Sequence, residues 1–325
     1  MVEMLRAAVV GVGYLGRFHA QKYAALKDVN LVAVADSNRE RAEGVAAECG
    51  CAALCDYHEL AGKVDLVSVA VNTVYHRDVA GFFLDQGIDV LLEKPITVSL
   101  AEADELLAKA KKKKCILQTG HLERFNPAVR AMRARLDYPA LIETTRVTTF
   151  KNRGVDVSVV LDLMIHDIDL ILSMIDAPLK SIAAAGAATI TPNTDTASAW
   201  FEFTSGAVAS LTVSRVSPIN ERRMRVLQPG GRFDVNFAER SLFSVKSDGM
   251  KDGQPLLSTK EERFGSADAL FDEICAFVDH VRERSRPEVS GEEGRAALAV
   301  AIEVMEKIKA GAVSEAFKKF SSAVS

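Results

Sequence analysis

Residues 8–16 read Ala8-Val-Val-Gly11-Val-Gly13-Tyr14-Leu15-Gly16, and Asp36 stands twenty residues beyond Gly16. Each part of this stretch has a physical task. Leu5–Val12 is a largely apolar run that reads as a buried parallel strand. Gly11 permits a tight turn, Gly13 lets the backbone approach a pyrophosphate, and Gly16 lets the next helix sit close on the sheet. The start of that helix, at Tyr14 and Leu15, offers unpaired N–H groups and a positive dipole end to phosphates. A second apolar run, Leu31–Ala35, ends in Asp36, whose carboxylate can accept hydrogen bonds from both ribose hydroxyls of an adenosine. That acid favours NAD over NADP, because a 2′-phosphate would meet a negative charge.

Working outward, the rest of the first third alternates strand and helix. Strand-like runs are Ala52–Leu54, Leu66–Val71, Val90–Leu92 and Cys115–Gln118, and helix-like segments fall at Leu15–Leu26, Arg39–Glu48, His76–Gln86 and Leu100–Lys112. Ser99 followed by Glu102 has the spacing of a capping box. Such alternation predicts right-handed crossovers and a doubly wound parallel sheet, a Rossmann domain over residues 1–120. The lysines at 111–114 complement the dipole at a helix C-terminus, and a solvated helix end is the simpler reading of that run.

Past Thr119 the pattern changes. Pro127–Leu136 and Val159–Ile175 look helical. Strand-like runs follow at Leu141–Phe150, Ser181–Ala188, Thr196–Phe203, Ala207–Val216, Met224–Leu227, Arg232–Phe237 and Leu242–Lys246, with Gly, Pro and Asn between them. Strands without intervening helices predict a second, α+β domain over residues 121–325, with a large, mostly antiparallel open sheet. Helices at Leu270–Arg284 and Gly291–Lys309 close the chain, and the last, at 291–310, is a candidate to pack back on the first domain. A cleft near residue 120 is the expected place for an active site.

The chain has 325 residues, a formal net charge of −4, 48% hydrophobic and 26% charged residues. That charge gives no general attraction to nucleic acid or to an anionic membrane. No apolar run approaches a membrane span, and the start of the chain does not have the layout of a secretory signal. The five cysteines suit reduced thiols in a cytoplasm. Cys49, Cys51 and Cys55, near His58, lack the spacing of a metal site, and small apolar residues at a helix end and in a short strand are the alternative.

Three groups could carry chemistry. Glu93-Lys94-Pro95 follows the fifth strand, beyond whose carboxyl end ligands bind in an open parallel sheet. Lys94 could hydrogen-bond a substrate oxygen, or form only a charged pair before a turn proline, and Pro95 is a candidate cis proline. Asp162, His166 and Asp169 are spaced i, i+4 and i+7, on one face of a regular helix. A carboxylate one turn before a histidine can hold its tautomer and support its charge as it takes a proton. A hydrogen-bonded helix contact and an Asp/His/Asp metal site are the competing readings. In Gly120-His-Leu-Glu-Arg-Phe-Asn-Pro127, Arg124 and Asn126 stand near the crevice, and Arg124 suits either a substrate diphosphate or a local carboxylate. Asn72 and His76, after the fourth strand, are placed near the cofactor or at a helix start. His19 reads as a packing or capping residue.

Together Gly11-Val-Gly-Tyr-Leu-Gly16, Glu93-Lys-Pro95, Arg124-Phe-Asn-Pro127 and Asp162-x-x-x-His166 with Asp169 resemble the glucose–fructose oxidoreductase / inositol dehydrogenase / MocA family. The resemblance covers nearly the whole chain. It implies a Rossmann domain joined to an α+β domain whose open sheet forms a homodimer or homotetramer interface. It implies Lys94, Asp162 and His166 as catalytic residues, with NAD bound by Gly11, Gly13, Tyr14, Leu15, Gly16, Asp36, Asn72, His76, Glu93 and Lys94. Substrate contacts would come from Lys94, Arg124, Asn126, Arg153 and His166, with no metal. Within the family, residues 120–127 and 156–166 look most like UDP-N-acetylglucosamine 3-dehydrogenases. Where many members carry glycines around the helix Asp, this chain has Val159-Val160 and Met164. The resemblance implies a cytoplasmic enzyme that oxidises a sugar hydroxyl, acting on a nucleotide sugar and feeding amino-sugar synthesis for lipid A or a surface glycan; an inositol or free-sugar dehydrogenase of the same family and a non-catalytic NAD-sensing binding protein are the alternatives.

Overall fold

A computed structural model describes residues 4–151, 154, 157–265 and 267–311. They fall into two compact units, each with its own sheet.

The first unit holds the described residues up to Phe125 together with Asp268–Leu298. Its strands are β1 (Leu5–Val10), β2 (Val29–Ala35), β3 (Ala52–Leu54), β4 (Leu66–Val69), β5 (Asp89–Glu93) and β6 (Leu117–Gly120). They lie in the order β3-β2-β1-β4-β5-β6, and every pair is parallel. Between them run α1 (Tyr14–Ala25), α2 (Arg39–Cys49), α3 (His76–Asp85) and α4 (Leu100–Lys113). This strand order reverses between β1 and β4, the switch point where such sheets bind ligands. Ser99 caps α4 as predicted, its Oγ accepting the Glu102 N–H, while the Glu102 carboxylate accepts the N–H of Val98, one residue before the cap of a standard capping box.

The second unit holds Asn126–Ala267 and the described residues from Ala299 on. It contains α5 (Pro127–Arg133), β7 (Leu141–Val147), a π turn at Val160–Met164, α6 (Ile165–Met174), and then β8 (Leu179–Ala187), β9 (Thr196–Phe203), β10 (Val208–Ser214), β11 (Glu221–Gln228), β12 (Gly231–Asn236), β13 (Ser241–Lys251) and β14 (Gln254–Arg263). The eight strands lie in the order β14-β13-β12-β11-β7-β10-β9-β8. Only β7 and β10 pair in parallel. Alternate residues of β9 (Ala197, Ala199, Phe201, Phe203) face the core, which leaves Ser198 and Trp200 on the outer side.

Two expectations need correction. A single division at residue 120 does not describe the chain, because α7 (Ala269–Glu283) belongs to the first unit. Its apolar stripe of Ile274, Phe277, Val278 and Val281 joins the core formed by Tyr23, Val29 and Leu31. The last helix, α8 (Gly291–Ala310), begins in the first unit, where Gln118 bridges to Ser290, and its residues from 299 on fall in the second. The sequence reading also missed β14. That strand pairs only with β13 and is exposed along nearly its whole length, so it has no alternation of apolar and polar residues to reveal it.

Candidate functional site

In the first unit Gly11 and Gly16 have the turn and packing roles that the spacing predicted. Gly11 has φ +83°, and a Cβ there would lie 2.7 Å from Val71 Cγ1. A Cβ on Gly16 would lie 1.9 Å from the Gly11 carbonyl oxygen, so only glycine lets α1 pack this closely on the turn. A Cβ on Gly13 meets no atom within 4 Å. The space beside Gly13 is open, and α1 begins there with no side-chain cap. A helix start of this kind directs backbone N–H groups and the positive end of its dipole toward a pyrophosphate. Tyr14 is exposed and Leu15 half-buried at the same helix start.

Asp36 is buried at the end of β2. Its Oδ2 accepts the Val12 N–H at 2.9 Å and its Oδ1 accepts the Asn38 N–H at 2.9 Å. It lines a cavity of about 500 Å3 with Gly11, Gly13, Val71, Asn72 and Tyr75. An open cradle at Gly13, a helix start beside it and a carboxylate at the end of the next strand fit a dinucleotide.

Lys94 leaves the carboxyl end of β5 through a cis peptide to Pro95, as the sequence suggested, and is half-buried. Two buried side chains hold this turn. Glu93 accepts the Lys94 N–H on Oε2 at 3.3 Å, and its Oε1 lies 3.0 Å from His19 Nε2. Gly120 on β6 makes room for Glu93, since a Cβ would sit 2.8 Å from Oε1. His76 is buried, with Nδ1 3.0 Å from the Pro95 carbonyl and Nε2 3.1 Å from the Val71 carbonyl. Burial pushes its imidazole below the ordinary value, against the carbonyls and Glu93, which pull it up. Neither His76 nor Glu93 lines the cavity. His76 ties the cavity wall at Val71 to the Lys94 turn, and Glu93 with His19 supports that turn from behind. His19 is thus a buried partner of Glu93 rather than a helix cap, a role that no local spacing could announce because the two lie 74 residues apart.

Arg124 is buried, with Nη1 3.7 Å from Glu293 Oε1 on α8, within the same unit. This supplies the local carboxylate that the sequence left open. Asn126 caps α5: its Oδ1 accepts the Ala128 N–H at 3.1 Å, and its Nδ2 donates to the Phe237 carbonyl at 3.5 Å. Arg153 lies outside the described residues.

In the second unit the regular helical face expected for Asp162, His166 and Asp169 is interrupted. Asp162 lies in the π turn, where the Ile165 N–H reaches back five residues to Val160, whereas His166 and Asp169 lie in α6. Ser158 Oγ accepts the Val160 N–H and so starts this segment. Such wide turns are frequent at functional sites. Asp162 and His166 are half-buried, and Asp169 is fully buried. The Asp162 carboxylate packs on Gly154, where a Cβ would lie 3.1 Å from Oδ2. The neighbouring Asp167 makes a buried ion pair with Arg146 of β7, Nη2 to Oδ1 at 2.8 Å. The sequence held a signal for this pair: Arg146 is the one charged residue among the inward positions of β7, and a buried charge needs a partner. Among the described residues, no three His, Cys, Asp or Glu side chains gather as a metal-binding group.

This arrangement fits a dinucleotide-binding enzyme, and the family match makes it an oxidoreductase that uses NAD. The chain belongs to the Gfo/Idh/MocA family. Residues 5–121 match the model of the oxidoreductase family with an NAD-binding Rossmann fold, and residues 128–234 match the Gfo/Idh/MocA C-terminal domain. The chain is 37% identical over 312 residues to the UDP-N-acetylglucosamine 3-dehydrogenase of Acidithiobacillus ferrooxidans, covering 95% of this chain and 99% of that one. The solved structure of that enzyme superposes with a TM-score of 0.89 at 36% identity, over 95% of this chain and 99% of that chain. The myo-inositol 2-dehydrogenase of Thermotoga maritima is 27% identical, over 90% of this chain and 93% of that protein.

Proposed function

We propose that the protein oxidises C3 of UDP-N-acetylglucosamine to a ketone, using NAD. The observation that carries this reading is the full-length similarity to an enzyme of that name, together with Lys94 and the Asp162/His166 pair in this chain. Bound NAD supplies the acceptor for the hydride leaving the carbon. The rest is done by side chains. His166 takes the hydroxyl proton as general base, and Asp162 orients the imidazole and supports its charge. Lys94 donates a hydrogen bond to the reacting oxygen and holds it as charge develops there. Arg124, Asn126 and Arg153 are assigned to the substrate side, Asn126 at the start of α5, which it caps. Glu93 and His76 serve the cofactor side through the Lys94 turn and Val71.

A 3-keto sugar is a substrate for transamination, so the product would feed amino-sugar synthesis for lipid A or a surface glycan in the cytoplasm. No helix among the described residues is long and apolar enough to cross a membrane. The outer face of the eight-stranded sheet, with Trp200 and Phe243 exposed, is assigned to a homodimer or homotetramer interface. A monomer at micromolar concentration in light scattering would exclude that assembly.

The 27% identical inositol dehydrogenase supports a second reading, in which a polyol is the substrate. Incubation with NAD and a panel of UDP-sugars and polyols, read by absorbance of the reduced cofactor and with a coupled aminotransferase to draw off the ketone, separates the two. Reduction with UDP-N-acetylglucosamine alone is expected. Reduction with inositols alone gives the second reading, and NAD binding without turnover on any of them removes both.

A further inference from the structure

The Asp36 carboxylate does not face the cavity alone. Arg41, on the first turn of α2, places Nη1 3.3 Å from both Asp36 oxygens. Each oxygen also accepts one backbone N–H, from Val12 and from Asn38. A carboxylate has about four acceptor positions, so the two backbone donors fill the inner ones and the guanidinium caps those that remain. A ribose reading Asp36 must share those positions with Arg41 or displace it.

Arg41 can be displaced without leaving the site. Its side chain is half exposed, and it lines the same cavity as Asp36 and Ser37. Among the described residues lining that cavity it is the only cation, set against Asp36, Asp56 and Asp78. Ser37, an exposed residue, lines the same cavity, and α2 starts two residues further on. A phosphate on the adenosine ribose would find a guanidinium, a hydroxyl and a helix start together.

We propose that Arg41 extends the cofactor range of this site to NADP(H), by pairing with a 2′-phosphate that Asp36 alone would repel. The proposal rests on the reading of this cavity as the adenosine end of the dinucleotide site. It changes what Asp36 means: an acid closing the second strand excludes NADP only when no neighbouring cation answers the phosphate.

Binding of NADH and NADPH to the full chain, titrated by cofactor fluorescence without substrate, tests this. The unsubstituted protein is expected to bind NADPH within about tenfold of NADH. In Arg41→Ala the ratio of the NADPH to the NADH dissociation constant should rise by about tenfold, the usual scale for losing a charged hydrogen bond. NADH affinity should hold or improve, since a competitor for Asp36 is gone. Arg41→Lys should lie between, keeping charge without the planar fork. A merely structural Arg41 would weaken both cofactors together, and an unchanged ratio overturns the proposal. So does NADPH binding far weaker than tenfold in the unsubstituted protein while NADH still binds. Failure of NADH itself to bind would instead remove the dinucleotide site on which the proposal stands.

Discussion

Gly13 and Gly16 lie three residues apart and are needed for opposite reasons. A methyl on Gly13 projects into open space, the place proposed for a pyrophosphate, and a methyl on Gly16 collides with the Gly11 carbonyl at 1.9 Å. Gly13→Ala should therefore leave thermal unfolding within about 0.5 kcal/mol of the parent, a typical surface effect, and weaken NADH binding by tenfold or more. Gly16→Ala should cost about 1–3 kcal/mol of stability through overpacking, whether or not cofactor is present. Equal loss of stability in both variants would show that Gly13 is a packing glycine. At this scale the sequence was most readable. A turn and a close helix contact each depend on a few neighbouring residues, so the packing roles of Gly11 and Gly16 follow from spacing. His19 and His76 were not readable in the same way. Their partners, Glu93 for one and the Pro95 and Val71 carbonyls for the other, are brought near by the fold and not by the local chain.

Among elements, the link between β8 and β9 shows how one carboxylate shapes a connection. Asp195 accepts N–H bonds on Oδ2 from Thr189, Ile190 and Thr191, and the Thr191 hydroxyl donates to Oδ1 at 2.7 Å. Arg215, at the end of β10, lies 3.8 Å from the same oxygen. Its guanidinium donates to the Gly154 and Val157 carbonyls at 2.7 and 2.6 Å, just before the π turn that carries Asp162. Burial pushes the Asp195 carboxyl up, but the N–H donors outweigh it and hold the group below the ordinary carboxylate value. In the window below that ordinary value the unfolded chain binds more protons than the folded one, so stability rises with pH there. The contribution is complete above the ordinary value and is lost as pH falls through the folded one. Asp195→Asn should lower stability at pH 7 by about 3 kcal/mol, the scale for removing one partner of a buried charged network. It should also flatten the loss of stability below pH 4, measured by urea unfolding across pH, and an acid limb as steep as the parent's would assign that loss to other carboxylates. The helix over Val159–Ile175 was legible as a helix, but its π turn was not. A five-residue reach at Val160 is not readable there, because Val159–Leu161 and Leu163–Ile165 are all apolar and show no period. The strand β14 was silent for a different reason, since a ribbon with solvent on both faces needs no alternation.

At the scale of the whole molecule, the two classes of sheet were written in the order of elements. Strands separated by helices gave the parallel sheet, and strands separated by turns gave the mostly antiparallel one. The return of α7 to the first unit was not written there, because an amphipathic helix states which face it buries and not against what. The chemistry assigned to the chain rests on Lys94 and on Asp162 with His166. One measurement tests that assignment most directly: transfer of deuterium from UDP-N-acetylglucosamine labelled at C3 to the nicotinamide ring, followed by mass spectrometry in the parent, Lys94→Ala and His166→Ala proteins. The parent should move the label to the cofactor, and each variant should do so at least about a hundredfold more slowly while still binding NADH, as loss of a general base or of an oxygen-holding donor requires. Label retained on the sugar in the parent, or transfer at the parent's rate in either variant, would contradict the account.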